Sequence, residues 1–91
     1  MKINFRQVVA PINFEGQTAT FDIAKTLGNA MKYNGSVLLD IGFEELASEI
    51  YHSEGAVEIP AQYVKALIAV VRESNLLATV KREVIKQMSQ N

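Results

Sequence analysis

A chain of 91 residues, 48% apolar and without cysteine, suits one small folded domain and excludes disulfide, thiolate and thiolate-zinc chemistry. Its net charge of −1 gives no overall pull toward nucleic acid or anionic lipid. The longest apolar run, residues 66–71, is six residues long, whereas a membrane span needs about 20.

Residues 2–12 have strand composition, with Ile3 and Phe5 on one face. The alternation then changes phase, so that Val8, Ala10, Ile12 and Phe14 share a face. A phase change of this kind predicts a bulge or bend. Pro11 cannot donate to a ladder, which assigns the stretch to an edge or to a bulge. Glu15 and Gly16 mark a turn, and residues 17–20 return as a second strand, completing a β-hairpin. The start of the chain is broken by Asn4, Arg6, Gln7, Pro11 and Asn13, unlike the apolar stretch of a signal peptide.

Thr20 is the expected N-cap of a first helix, with Asp22 facing the positive end of its dipole. Ile23, Leu27, Ala30 and Met31 form its apolar face. Gly28 lies inside this helix, where glycine costs about 1 kcal/mol relative to alanine; close packing against another element is the expected reason. Asn34 and Gly35 read as a helix stop, and residues 36–39 as a connector whose Val37, Leu38 and Leu39 enter the core.

Asp40 is the expected cap of a second helix, with Glu44 and Glu45 near its start and Phe43, Leu46, Ala47 and Ile50 as its stripe. Gly55 is expected to end it. Residues 56–59 read as extended, with 57–59 available as a third strand, and Pro60 suits a first helical position. Val64, Leu67, Ile68 and Val71 mark a third helix. Its stripe fails at Ser74 and Asn75, and the apolar face resumes at Leu77, Val80, Val84 and Met88. A break at Ser74–Asn75 with a fourth helix from Leu76 is therefore expected; one long helix is the alternative.

Charge is segregated along the chain. Residues 40–58 hold six acids (Asp40, Glu44, Glu45, Glu49, Glu54, Glu58) and no Lys or Arg. Residues 65–86 hold five bases against Glu73 and Glu83, with Lys81, Arg82 and Lys86 crowded on the last helix. This polarity favours attraction between unlike surfaces, within the chain or between copies.

No catalytic set emerges. His52, the single histidine, follows Ser48 by one helical turn, but nucleophilic catalysis also needs an orienting acid, an oxyanion site and a pocket. Glu45 and Glu49 lie one turn apart and suit a weak cation contact; a solvated helix face explains them better. The scattered glycines form no phosphate-cradling loop. Lys81, Arg82 and Lys86 are the candidate nucleic-acid contacts, few beside the roughly 6–10 phosphate contacts of strongly salt-dependent binders. Phe43, Tyr51 and Tyr63 are core aromatics or interface anchors.

The order of parts carries a resemblance. Lys2-Ile3-Asn4-Phe5 precedes the turn Phe14-Glu15-Gly16, then Asp22-Ile23-Ala24-Lys25-Thr26-Leu27-Gly28-Asn29-Ala30, then Glu45-Leu46-Ala47-Ser48-Glu49-Ile50-Tyr51, then Val57-Glu58-Ile59 and the closing helices. This resembles small uncharacterised proteins encoded in bacteriophage and prophage gene clusters. The likeness implies a phage or integrated-element origin and a role in virion assembly or host interaction; it brings no catalytic residue.

The expectation is thus an α+β domain over residues 1–91, a hairpin packed on four short helices. It is expected to be cytoplasmic in the host cell or virion-associated, with no cofactor, metal or membrane partner. Its leading function is non-enzymatic interaction and assembly, with itself or with another phage or host protein, and Glu45, Glu49, Tyr51 and Tyr63 as the expected interface. The alternatives are a nucleic-acid-binding regulator using Lys81, Arg82 and Lys86, and a small hydrolase centred on His52.

Overall fold

The computed structural model describes residues 1–33 and 40–89. The expected helix stop at Asn34–Gly35 and the connector 36–39 lie outside them. The fold is α+β, with four strands, four α-helices and a 3-10 turn among the described residues. Its extents of 43 × 23 × 22 Å correspond to two packed layers, each about 10 Å thick.

The stretch 2–12 is two strands and not one. β1 (Lys2–Ile3) and β2 (Val8–Pro11) are separated by a tight turn in which Gln7 N donates to Asn4 O at 3.3 Å and Arg6 N to Asn4 Oδ1 at 3.0 Å. That turn is the phase change read in the sequence. It turns Phe5 into the core, and the carbonyl of Phe5 accepts from Ile23 N at 2.8 Å. The Arg6 side chain fastens the turn, donating Nε to Ser53 O and pairing with Asp22 at 3.3 Å.

β2 pairs antiparallel with β3 (Thr18–Phe21), in the register Val8↔Phe21 to Pro11↔Thr18. Ile12 N donates to Gln17 O at 2.9 Å, which continues this ladder by one pair. By antiparallel alternation, the backbone nitrogens of Val9 and Pro11 then face away from β3. Proline therefore sits at an outward position of an edge strand, where a missing donor costs the ladder nothing. Gly16 turns the hairpin with φ +93°, as a turn glycine must. β4 (Val57–Glu58) is the third strand expected near 57–59, but it pairs with β1 and not with the hairpin. Among the described residues there are therefore two separate two-stranded sheets.

Thr20 lies in β3 and caps nothing. Helix α1 (Ala24–Lys32) starts four residues later, with Asp22 Oδ1 accepting from Ala24 N at 3.3 Å. Asp40 does cap α2 (Ile41–Tyr51), accepting from Phe43 N at 3.1 Å, and Phe43, Leu46, Ala47 and Ile50 are all buried as the stripe required. Helix α2 ends well before Gly55, because Ser53 N and Oγ both turn back to Ile50 O, at 3.2 and 2.7 Å. Pro60 precedes a 3-10 turn (Ala61–Tyr63) that leads into α3 (Val64–Glu73).

The break after α3 is real. Ser74 leaves helical geometry at ψ 170°, its hydroxyl donates to Val71 O at 2.7 Å, and Lys81 Nζ reaches back to Arg72 O at 2.8 Å. A cation on the last carbonyls of a helix is favourably placed against the dipole. Helix α4 (Ala78–Ser89) begins two residues later than expected and lies across β2, burying Val80, Val84 and Met88 with Val8 and Ala10. Leu77, assigned to that stripe from the sequence, precedes the helix and is exposed.

Helices α1 and α2 meet at Gly28. A β-carbon there would stand 2.7 Å from Tyr51 Cβ and 3.0 Å from the carbonyl oxygen of Ala47. Gly28→Ala should gain about 1 kcal/mol of helix propensity and lose about 1–3 kcal/mol to overpacking. The expected outcome is a urea midpoint lower than the parent's at unchanged m-value; a higher midpoint would mean that the seam opens freely.

Candidate functional site

The inner face of the hairpin runs farther than its cover. Val8 and Ala10 are fully buried under α4, whereas the next members of the same stripe are open: Ile12 is 54% exposed and Phe14 wholly exposed. The stripe of α4 overhangs in the same way, with Val80 buried and Leu77 60% exposed. Both overhangs lie at one end of the molecule. With Pro11, Phe21, Thr79 and Arg82 they line a groove of about 730 Å³.

The loop that carries Phe14 is held by side-chain bonds. Asn13 Oδ1 accepts from Glu15 N at 3.0 Å and from Gln17 N at 3.2 Å, and Asn13 Nδ2 donates to Gln17 Oε1 at 2.7 Å. With Gly16 in the left-handed region, the turn presents Phe14 as an exposed apolar knob beside an apolar trough. Glu15 is exposed next to the knob. Arg82 is exposed on the trough wall and, among the described residues, has no carboxylate within ion-pair distance.

The basic trio does not form one patch. Lys81 is bound to the C-terminal carbonyls of α3. Arg82 belongs to the groove, and Lys86 stands exposed one turn farther along. Nor does the acid-rich stretch meet the basic helix: among the described residues no ion pair joins residues 40–58 to residues 65–86.

Of the four expected interface residues, Glu45 and Glu49 are exposed on α2. The two tyrosines are half-buried and engaged internally. Tyr51 lies over Gly28, with its ring edge-on to His52 at 4.9 Å and Lys25 Nζ 5.9 Å from its centre. Tyr63 stacks edge-on to Phe43 at 5.4 Å, and its hydroxyl donates to Asp40 Oδ1 at 3.1 Å. Asp40 thus serves two donors, the cap of α2 and this phenol. Partial burial, then the Asp40 bond, raises the Tyr63 pKa above its usual value.

His52 is exposed at the end of α2, on the rim of an open crevice of about 290 Å³ between α1 and α2. Its Nδ1 lies 2.9 Å from the carbonyl of Ser48 and 3.5 Å from the Ser48 hydroxyl. A carbonyl only accepts, so in the bond to Ser48 O the donor is Nδ1. Among the described residues no three His, Cys, Asp or Glu side chains gather as a metal site. No helix of the described residues is long and apolar enough to cross a membrane.

Sequence reasoning put Ile12 and Phe14 on one face with Val8 and Ala10, and Leu77 on the apolar face of the last helix, without showing that these three would be left uncovered. One signal pointed elsewhere: Phe14 sits inside the turn sequence Asn13-Phe14-Glu15-Gly16, where no core can reach it. Comparison of the chain with protein-family models, with curated proteins and with solved structures finds no match.

The Asp40–Tyr63 bond generates a titration test. In a variant with Tyr33 and Tyr51 both changed to Phe, the remaining phenol should titrate above 10.0, the ordinary tyrosine value. Adding Asp40→Asn should move it back toward that value in a spectrophotometric titration. The sign for stability follows: the fold favours the neutral phenol, so its contribution is complete below the ordinary pKa and is lost as pH rises through the folded value.

Proposed function

We propose that this protein is a small non-enzymatic interaction and assembly module that self-associates through the groove between the hairpin tip and the start of α4. The observation that carries this reading is the convergence of two uncovered core stripes, Ile12–Phe14 and Leu77, at one end of the fold. Scattered exposed apolar side chains are ordinary on a monomer; a contiguous set rimmed by polar groups marks an interaction surface. Segregated charge supports the same reading, because no ion pair joins the acidic stretch to the basic one among the described residues, and Glu45, Glu49, Arg82 and Lys86 are exposed to attract another copy. A core this small gains from being completed by a neighbour. The likeness in element order to phage and prophage proteins is consistent with an assembly role.

The nucleic-acid reading has less support. Its three bases would need to share one face, and Lys81 is committed to the end of α3. That leaves Arg82 and Lys86, and two phosphate contacts give only a shallow salt dependence, a slope of about −2.

Sedimentation velocity over a range of concentrations tests the proposal. The parent is expected to gain mass with concentration, and Leu77→Lys to remain monomeric. Leu77 is largely exposed, so this substitution should change unfolding stability by no more than about 0.5 kcal/mol. A parent of invariant monomer mass would remove self-association; association undiminished in Leu77→Lys would move it to another surface.

A further inference from the structure

We infer that two copies of this chain pair about a two-fold axis, each seating Phe14 in the other's groove and each setting Glu15 against the other's Arg82. This deepens the reading above and rests on it. A two-fold contact is self-complementary, so one patch must hold both a protrusion and its receptor. Here both are present side by side: Phe14 stands wholly exposed at the rim of a trough floored by Ile12, Phe21 and Leu77. The polar groups match in the same sense. An acid follows the knob in the chain, and a base stands on the trough wall.

Reversing one copy against the other brings unlike charges together at both ends of the contact, so each dimer would hold two Glu15–Arg82 pairs. Neither side chain has an ion-pair partner among the described residues, so no internal bond is lost when the pairs form. The knob is also preorganised, because Asn13 already holds the loop through the nitrogens of Glu15 and Gln17. Association then loses little loop entropy. A foreign apolar peptide would fill the trough equally well but would have no use for an acid beside Phe14, and this favours a second copy as the occupant.

Charge exchange tests the pairing. Glu15→Arg and Arg82→Glu are surface substitutions whose folding is checked by circular dichroism and melting. Each alone creates two like-charge contacts per dimer and should weaken self-association by roughly tenfold or more at low salt. Mixed in equal amounts, the two variants restore unlike charges at both contacts: the introduced arginine faces the introduced glutamate, and the retained Glu15 faces the retained Arg82. They should therefore form a heterodimer, although neither pairs with itself. The double variant Glu15→Arg/Arg82→Glu should recover the homodimer, and Phe14→Ala should lose it by roughly thirtyfold or more.

A parent that associates while both reversals associate equally well would overturn the pairing and leave the self-association reading standing. Reversals that are both monomeric and stay so when mixed would also overturn the pairing. A parent monomeric to about 1 mM, the limit of even weak association, would overturn both.

Discussion

Helix α4 lying across β2 is the contact on which the arrangement of this protein depends. A two-stranded ribbon cannot bury itself, and the hairpin is stable because Val80, Val84 and Met88 cover Val8 and Ala10. The same contact sets the limit of the core. A strand advances about 3.4 Å per residue, so Ile12 lies about 7 Å beyond Ala10 along the ribbon. A further helical turn, about 5.4 Å, would be needed to follow it. That turn is absent because Ser74 stops α3 and the chain re-enters helix only at Ala78. The uncovered apolar end is thus a consequence of where one helix starts.

The rest of the fold works to hold that helix in place. Lys81 ties α4 to the last carbonyls of α3. Helix α3 packs on α1 and α4 and follows the 3-10 turn after the β1–β4 ribbon, whose pairing Ile59 N extends by donating to Met1 O at 2.7 Å. Arg6 links the turn after β1 to the start of α1 and the end of α2. Helices α1 and α2 approach closely because Gly28 has no side chain. Two small sheets and four short helices are joined in this way by a few directional contacts around a core with no buried polar or charged residue among those described.

Polar chemistry is correspondingly peripheral. Asp40, Tyr63, Ser48 and His52 make bonds that end helices or brace aromatic rings. The groove differs in kind. Ile12, Phe14 and Leu77 are left largely exposed there, and the flanking charges, Glu15 and Arg82, have no ion-pair partner among the described residues. A surface that is unsatisfied in both respects is where a small protein gains most from contact with another molecule.

Local pattern made much of this legible. Helical spacing identified the buried face of α2 in full and most of that of α1, whereas in α3 Val64 and Ile68 of the expected stripe are only half-buried and Val70, outside it, is buried. Asp40 as a cap, Gly16 as a turn and Gly28 as a packing glycine were readable because each has a local steric or hydrogen-bonding cause. Thr20 and Gly55 were misread because competing groups decided those ends: strand pairing drew Thr20 into β3, and Ser53 closed α2 first. The phase change near Phe5 was visible in the sequence, but whether it meant a bulge in one strand or a turn between two depended on β4 pairing with β1, a contact made across more than fifty positions. What the amino-acid sequence determined by itself was which residues are apolar, how they repeat and where the chain can turn. Only the tertiary structure decided which members of a stripe find a cover, because burial depends on the length and placement of the opposing element, and in this chain α4 begins too late to reach Ile12 and Phe14.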